Sequence, residues 1–351
     1  MTPLEERIRR QIAQTGPMSV ADYMTLCLAH PEHGYYATRD PLGVAGDFIT
    51  APEISQMFGE MIGLWLAATW QAQGGPSPFI LAELGPGRGT LMADALRATK
   101  AVPGFHAAAR LCLVETSPAL RAKQADALAG YAPEWVGYPD ALPDGPLFLI
   151  ANEFFDCLPI RQFVKTDVGF TERMISTQDG KLIFGLAPAA PDQALFARFG
   201  DLPEGRIVEL CPAAEAIASG LQSRIDQQGG AALIIDYGGR NASGDTLQAL
   251  RAHQKQSPLE TPGEADLTAH VNFAALAPGA PYTTQGTFLE RLGITARAQA
   301  IAKTLNGAAL ETHIAAHRRL THPDEMGSLF KTAALLPKGA DAIGFDPGEI
   351  A

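Results

Sequence analysis

Apolar runs alternate with helix-like segments through the middle of the chain. Segments with helical spacing of apolar positions follow the first two runs, at residues 90–99 and 118–129. The runs are almost continuously apolar, as expected of strands buried on both faces of a parallel sheet. They comprise residues 79–84, 110–115, 147–151 and 231–236. This alternation predicts a doubly wound α/β fold.

The segments before and between these runs follow other patterns. Residues 3–30 predict two short helices interrupted at Gly16-Pro17, and residues 31–52 a long ordered loop. A helix is predicted over residues 53–73. We therefore expect an N-terminal helical segment with a covering loop over residues 1–75, followed by the main domain over residues 76–351.

Residues 160–205 interrupt the alternation. Short strand-like stretches around the turn Gln178-Asp179-Gly180 predict an antiparallel lobe inserted between two strands of the main sheet. Further along, residues 286–322 predict helices and residues 328–336 a final edge strand.

Composition narrows the class of function. The 351 residues carry 27 Lys and Arg against 38 Asp and Glu, a net charge of -11. Nucleic-acid affinity depends on basic residues that neutralise phosphates, so no nucleic-acid partner is expected and a cationic partner is favoured. The four cysteines form no CxxC pair, which predicts a reducing compartment. No apolar stretch suits a leader or a membrane span, so we predict a cytoplasmic protein without membrane insertion.

The strongest motif is the glycine-rich turn that follows the first buried strand. It contains Gly85, Gly87 and Gly89, and Thr90 opens the next helix. Glycine lets a ligand approach the backbone, and a helix N-terminus offers unpaired N–H groups. The spacing G-x-G-x-G differs from the dinucleotide pattern G-x-G-x-x-G, and no Gly-Lys-Ser/Thr follows to make a P-loop.

Two acidic residues favour S-adenosylmethionine as the cofactor. Glu83 lies two positions before the first glycine, where it suits the cationic amino group of that cofactor. Glu115 ends the next buried strand, where a carboxylate can accept hydrogen bonds from both ribose hydroxyls. The loop before residue 53 is expected to cover the cofactor through Asp47 and Thr50, although Thr50 also suits a helix cap.

A second polar segment follows the strand at residues 147–151. Because ligands bind beyond the carboxyl ends of parallel strands, its side chains are candidates for the reaction centre. We expect Asn152 to accept a hydrogen bond from cofactor or acceptor, and Glu153 and Asp156 to hold a cationic substrate. Phe154 suits a cation–π contact with the cofactor, whereas Phe155 is expected in the core. His313 and His317 have metal-ligand spacing, but no motif completes a site, so no metal is expected.

Ten longer stretches together identify a family resemblance. The chain resembles the MidA-like family, the bacterial relatives of a mitochondrial complex I assembly methyltransferase, over nearly its whole length. The matching stretches are HPEHGYY, GDFITAPEISQMFGE, ELGPGRGTL, ANEFFDCLP, VELCPAA, LIIDYG, GDTLQAL, PGEADLTAHVNF, TQGTFLERLG and MGSLFK.

The resemblance implies a class I methyltransferase fold with a seven-stranded sheet and S-adenosylmethionine as cofactor. It also implies arginine methylation of the 49-kDa-type subunit of respiratory complex I, in the cytoplasm of bacteria and the mitochondrial matrix of eukaryotes. The segment at residues 152–156 lacks the double-glutamate loop of the usual arginine methyltransferases, so arginine as acceptor depends on the family alone. The alternatives are methylation of a small molecule or another amino group, and a non-catalytic assembly factor that binds the cofactor.

Overall fold

The computed structural model describes residues 1–38, 50–188, 193–241 and 244–351. A short 3-10 turn at Pro139–Ala141 and a π-type turn at Pro323–Gly327 accompany the α-helices. Numbered along the chain, the helices are α1 (Pro3–Thr15), α2 (Val20–Ala29), α3 (Tyr35–Thr38), α4 (Ala51–Ile54), α5 (Gln56–Ala72), α6 (Thr90–Thr99), α7 (Phe105–Ala108), α8 (Pro118–Ala127), α9 (Gln193–Phe199), α10 (Pro212–Gln228), α11 (Phe273–Leu276), α12 (Gln285–Arg291), α13 (Ile294–Ala302) and α14 (Gly307–Thr321).

The strands are numbered in the same way. They are β1 (Met18–Ser19), β2 (Phe79–Leu84), β3 (Ala109–Val114), β4 (Glu134–Val136), β5 (Leu147–Asn152), β6 (Arg161–Thr166), β7 (Gly169–Gln178), β8 (Lys181–Leu186), β9 (Ile207–Leu210), β10 (Gly230–Gly239), β11 (Gln248–Arg251), β12 (Gln254–Gln256), β13 (Asp266–Thr268), β14 (Val271–Asn272), β15 (Tyr282–Thr284) and β16 (Phe330–Leu335).

Two compact units, each assembled from three stretches of chain, make up the protein. The small unit contains Met1–Phe48, Asp156–Glu215 and Asn241–Asn272. The large unit contains Ile49–Phe155, Ala216–Arg240 and Phe273–Ala351. This division falls at other positions than the sequence-based segments 1–75 and 76–351, because the small unit collects stretches that are distant in sequence.

A mostly parallel sheet forms the centre of the large unit. Its strands lie in the order β15-β16-β10-β5-β2-β3-β4. The pairs among β10, β5, β2, β3 and β4 are parallel, and β16 and β15 add antiparallel pairs. The α/β sheet predicted from the apolar runs is therefore confirmed.

The predicted edge strand has a different position in this sheet. Residues 328–336 contain β16, which pairs with β10 on one side and with β15 on the other. The prediction that this strand forms an edge is wrong, because β15 lies beyond it. A three-residue strand such as β15 is too short to show an alternating pattern in the sequence.

Close packing of α5 and α6 fixes the helix that follows the glycine-rich turn. Side chains of α5 such as Phe58 and Trp65 are buried in the same core as Phe79 of β2 and Phe148 of β5. A Cβ atom on Gly63 would lie 2.6 Å from the Ala95 Cα atom, so α5 approaches the backbone of α6 where it has a glycine.

The small unit is built on antiparallel strands. One sheet has the order β1-β7-β6-β9 with β8 paired to β7, and another has the order β12-β11-β13. The strands predicted near residues 160–205 are present as β6, β7 and β8, and the sheet extends to β1 and β9. In the part of the chain that the structure describes, no helix is long and apolar enough to cross a membrane.

Candidate functional site

The carboxyl ends of β2, β3 and β5 lie side by side at one edge of the large unit's sheet. In register, Leu84 pairs with Val114 of β3 and with Ala151 of β5. The Gly85 N–H donates to the Val114 carbonyl at 3.1 Å. The three segments predicted to bind a ligand therefore leave the sheet together, as the fold type requires.

The glycine-rich turn is held in a backbone conformation that favours glycine. Gly85, Gly87 and Gly89 have φ values of 60°, 54° and 83°, in the left-handed region that costs other residues free energy. A Cβ atom on Gly85 would also lie 3.1 Å from the Phe154 ring. The turn ends where α6 begins at Thr90, so the N–H groups of the first helical turn are directed to the same edge.

Glu83 is a buried carboxyl group at the end of β2. Only 3% of the residue is exposed, and its Oε2 atom has no hydrogen-bond partner among the described residues. Burial raises the pKa of Glu83 to about 8. A buried acceptor without a donor is costly, so this position fits a cationic group such as the amino group of S-adenosylmethionine.

The Glu115 carboxylate is held in one orientation directly after β3. Its Oε1 atom accepts from the N–H groups of Thr116 and Ser117, both at 2.8 Å. Its Oε2 atom accepts from Gln124 Nε2 at 3.2 Å. A carboxylate has about four lone-pair sites. Three of them accept these hydrogen bonds, so Glu115 Oε2 retains one site that a ribose hydroxyl could use.

Thr90 and Thr50 differ in their contacts. The Thr90 hydroxyl donates to Glu53 Oε1 at 2.7 Å, which links α6 to the short helix α4. Thr50 occupies the N-cap position of α4, but its side chain makes no capping hydrogen bond to a described residue. Asp47 lies outside the described residues.

Asn152 and Glu153 form a polar pair at the end of β5. The Asn152 Nδ2 atom donates to Glu153 Oε1 at 3.0 Å, and the Ala51 N–H donates to the same oxygen at 3.3 Å. Asn152 is buried, and its Oδ1 atom has no partner within the described residues. Glu153 has a φ of 52°, a strained conformation of the kind that collects at functional sites.

Asp236 holds the segment that follows this pair. Its carboxylate accepts from the Phe155 N–H at 3.0 Å and from the Tyr237 N–H at 2.9 Å. Phe155 is 3% exposed, as expected for a core residue. The ring of Phe154 lies beside Gly85 of the glycine-rich turn.

Asp156 belongs to the small unit, unlike Asn152 and Glu153. It is buried, and its carbonyl accepts from the Ala269 N–H at 2.9 Å. The Tyr36 hydroxyl donates to Asp266 in the same unit at 2.9 Å. Burial and then the charges of Asp266, Cys157 and Asp156 raise the pKa of Tyr36. The role predicted for Asp156 in holding a substrate stays a prediction.

Two residues that contact the site were not found from the sequence. Glu53 binds Thr90, and Gln124 binds both Glu115 and the carbonyl of Gly87. Neither lies in a glycine turn or at a strand end, so no local pattern marks it. The only signal is that Glu53 falls in one of the ten matching stretches.

The two histidines with metal-ligand spacing have protein partners. His313 Nε2 is 2.9 Å from the Ala298 carbonyl, and His317 Nε2 is 2.8 Å from the Thr295 hydroxyl. Over residues 1–38, 50–188, 193–241 and 244–351, no cluster of His, Cys, Asp and Glu is arranged to hold a metal ion.

Comparison with known proteins identifies relatives along the whole chain. A family model described as S-adenosyl-L-methionine-dependent methyltransferases matches residues 61–289. The mitochondrial protein arginine methyltransferase NDUFAF7 of Rattus norvegicus is 36% identical, covering 99% of this chain and 88% of its own length. The Homo sapiens protein of the same name is 36% identical, with coverages of 96% and 84%.

A solved structure has the same fold with a product-like ligand. The crystal structure of a protein from Burkholderia thailandensis bound to S-adenosyl-homocysteine has a TM-score of 0.82 and 28% identity. The match covers 99% of this chain and 95% of that protein. These comparisons confirm the predicted methyltransferase fold and S-adenosylmethionine as the cofactor.

Proposed function

Because the chain belongs to the family of S-adenosyl-L-methionine-dependent methyltransferases, we propose that it methylates an arginine side chain of a protein. The observation that carries this proposal is the near-full-length similarity, at 35–38% identity, to relatives named protein arginine methyltransferases. By its resemblance to the MidA-like family, the proposed client is the 49-kDa-type subunit of respiratory complex I.

The residues at the sheet edge divide into cofactor and acceptor groups. In the proposed complex, Glu83 pairs with the cofactor's amino group and Glu115 Oε2 accepts from a ribose hydroxyl. The glycine-rich turn admits the ligand to the backbone, with Gly85, Gly87, Gly89 and Thr90 around it. Asp47 and Thr50 are proposed to cover it.

Glu153 is proposed to act on the acceptor. When bound, S-adenosylmethionine would supply a methyl group on a positively charged sulfur. The new N–C bond replaces the S–C bond, so S-adenosylhomocysteine leaves as a neutral thioether, and the proton lost by the acceptor nitrogen goes to the Glu153 carboxylate and then to solvent. A guanidinium is a poor nucleophile because its charge is delocalised and it stays protonated near neutral pH. A carboxylate beside it localises the charge and orients the nitrogen. Asn152 Oδ1 is proposed to accept from the same nitrogen, and Asp156 to hold the substrate.

Two contacts favour Glu153 for this role. The Asn152 amide and the Ala51 N–H both donate to its Oε1 atom, which fixes the carboxylate before a substrate arrives. Glu153 also has a strained backbone conformation, which Gly or Asn would adopt at a lower cost in free energy. Methyl transfer depends strongly on such positioning.

The test is transfer of a radiolabelled methyl group from S-adenosylmethionine to the purified 49-kDa-type subunit of the same organism. Mass spectrometry of the labelled subunit then locates the modified residue. We expect label on an arginine, and loss of most transfer in Glu153→Gln. Glu134→Gln is the matched control, because Glu134 is an exposed glutamate paired with Arg110 and should transfer normally.

Other outcomes separate the alternatives. Label on a lysine, on the N-terminal amine or only on a small molecule would exclude arginine as the acceptor. A protein that binds S-adenosylhomocysteine but labels nothing in the client or in a lysate would support a non-catalytic assembly factor instead.

A further inference from the structure

Gln124 lies on α8 and is completely buried. Its exposed fraction is 0%. The helix that carries it begins after Ser117, whose side chain caps the Leu120 N–H at 3.4 Å. A buried amide must satisfy both its N–H and its carbonyl group, so its hydrogen bonds show which parts of the structure it connects.

Both donors of this amide are directed at the cofactor site. Gln124 Nε2 donates to the Gly87 carbonyl at 2.8 Å and to Glu115 Oε2 at 3.2 Å. The Trp135 indole N–H donates to Gln124 Oε1 at 2.8 Å. An indole nitrogen is only a donor, so Trp135 fixes which end of the amide is the nitrogen.

We propose that Gln124 is a positioning residue for the cofactor, holding the glycine-rich turn and the Glu115 carboxylate in one fixed arrangement. The Gly87 carbonyl and Glu115 Oε2 are both acceptors and cannot bind each other. The two N–H groups of a single amide bridge them, and Trp135 keeps that amide in the required orientation. Gln124 thereby acts on the cofactor through its two contacts rather than by touching it.

The first test compares two buried glutamines of the large unit. Gln124→Met keeps the size of the side chain and removes both donors. Gln285→Met is the matched control, because Gln285 is also 0% exposed and donates to the Leu320 carbonyl at 2.9 Å. We expect both variants to lower the melting temperature. Only Gln124→Met should raise the Kd for S-adenosylhomocysteine in calorimetry, by about tenfold.

The second test uses pH. Gln124→Glu places a carboxyl group against two acceptors, where its ionised form is repelled and its protonated form still donates one hydrogen bond. The Kd of this variant, divided by that of the wild type at each pH, should therefore increase as pH rises. A role confined to packing would leave this ratio independent of pH.

Trp135→Phe keeps the inference testable if the Gln124 variants fail to fold. It leaves Gln124 in place but removes the N–H that orients its amide, so the KM for S-adenosylmethionine should rise several-fold with little change in kcat. The inference is overturned if the folded variants bind S-adenosylhomocysteine as tightly as Gln285→Met does. It is equally overturned if Trp135→Phe lowers kcat and leaves KM unchanged.

Discussion

Glu83 is deeply buried, and its Oε2 atom has no hydrogen-bond partner among the described residues. If Glu83 holds the cofactor's amino group as proposed, its protonation state changes on ligand binding. With a pKa of about 8, its carboxyl group is mainly neutral at pH 7 in the unliganded protein. A bound ammonium group favours the ionised form and lowers that pKa. Binding must then release a proton.

We therefore predict that S-adenosylhomocysteine binds with proton release at pH 7 and more tightly as pH rises from 6 towards 8. Calorimetry in two buffers of different ionisation enthalpy measures the released proton directly. Glu83→Gln should bind more weakly and without this release. If the wild type and Glu83→Gln release the same number of protons, another residue binds the ligand's amino group.

The same shift has a consequence for the stability of the unliganded protein. The folded-state pKa of Glu83 lies above its ordinary value of 4.5, so between these two values the folded state binds more protons than the unfolded state. Stability must fall as pH rises through that window. Glu83→Gln should show a smaller loss of melting temperature than the wild type between pH 5 and 8. If the melting temperatures of the wild type and Glu83→Gln change with pH in the same way, the raised pKa of Glu83 is contradicted.

Gly87 tests whether the turn serves the ligand. Its φ of 54° is unfavourable for a β-branched residue, and a side chain there would occupy space where a ligand meets the backbone. Gly87→Val should abolish S-adenosylhomocysteine binding in calorimetry. Thermal unfolding and circular dichroism check that the variant is folded. A folded Gly87→Val variant with normal affinity for S-adenosylhomocysteine would show that the turn has only a structural role.

Sequence patterns indicated single site residues only where a local feature, such as a turn or the end of a strand, determines what the side chain can do. Glu83 and Glu115 were predicted as candidates because a strand end and a turn have recognisable patterns. Gln124 was not predicted, because its three hydrogen bonds depend on how α8 packs against Gly87, Glu115 and Trp135, which lie in other elements. Such contacts are products of tertiary structure.

Among the elements, the contact between α4 and α6 is one that sequence patterns did not indicate. The Thr90 hydroxyl joins Glu53 at 2.7 Å, which is a charge-assisted hydrogen bond. We predict a coupling of about 1 kcal/mol in a double-mutant cycle of Thr90→Val and Glu53→Gln, measured by denaturant unfolding. Additive effects of the two substitutions would show that the helices are held by packing alone.

Strand patterns predicted the strands that are buried on both faces of the sheet. They did not predict the short strand at its edge. The runs that became β2, β3, β5 and β10 are almost continuously apolar, so their place in a parallel sheet followed from this pattern. The position of β16 depended on β15, and only three-dimensional pairing identifies so short a strand.

For the whole molecule, the sequence predicted the family but not the division into units. The ten matching stretches led to the methyltransferase family, which the comparisons confirm. The small unit joins three stretches of chain, including β1 and β11–β13, into antiparallel sheets. Pairing between distant segments leaves no periodic signal along a single sequence, which is why the predicted lobe was smaller than the unit observed.

We propose that Glu115 binds the cofactor whereas Glu153 binds the acceptor. Single-turnover methyl transfer to the 49-kDa-type subunit, measured beside S-adenosylhomocysteine affinity, tests both roles at once. Glu153→Gln should retain its affinity but lose most transfer at saturating cofactor. Glu115→Gln should instead weaken affinity by about tenfold and still transfer when saturated. If Glu153→Gln loses affinity and transfer in parallel, or transfers at the wild-type rate, the division of roles is wrong.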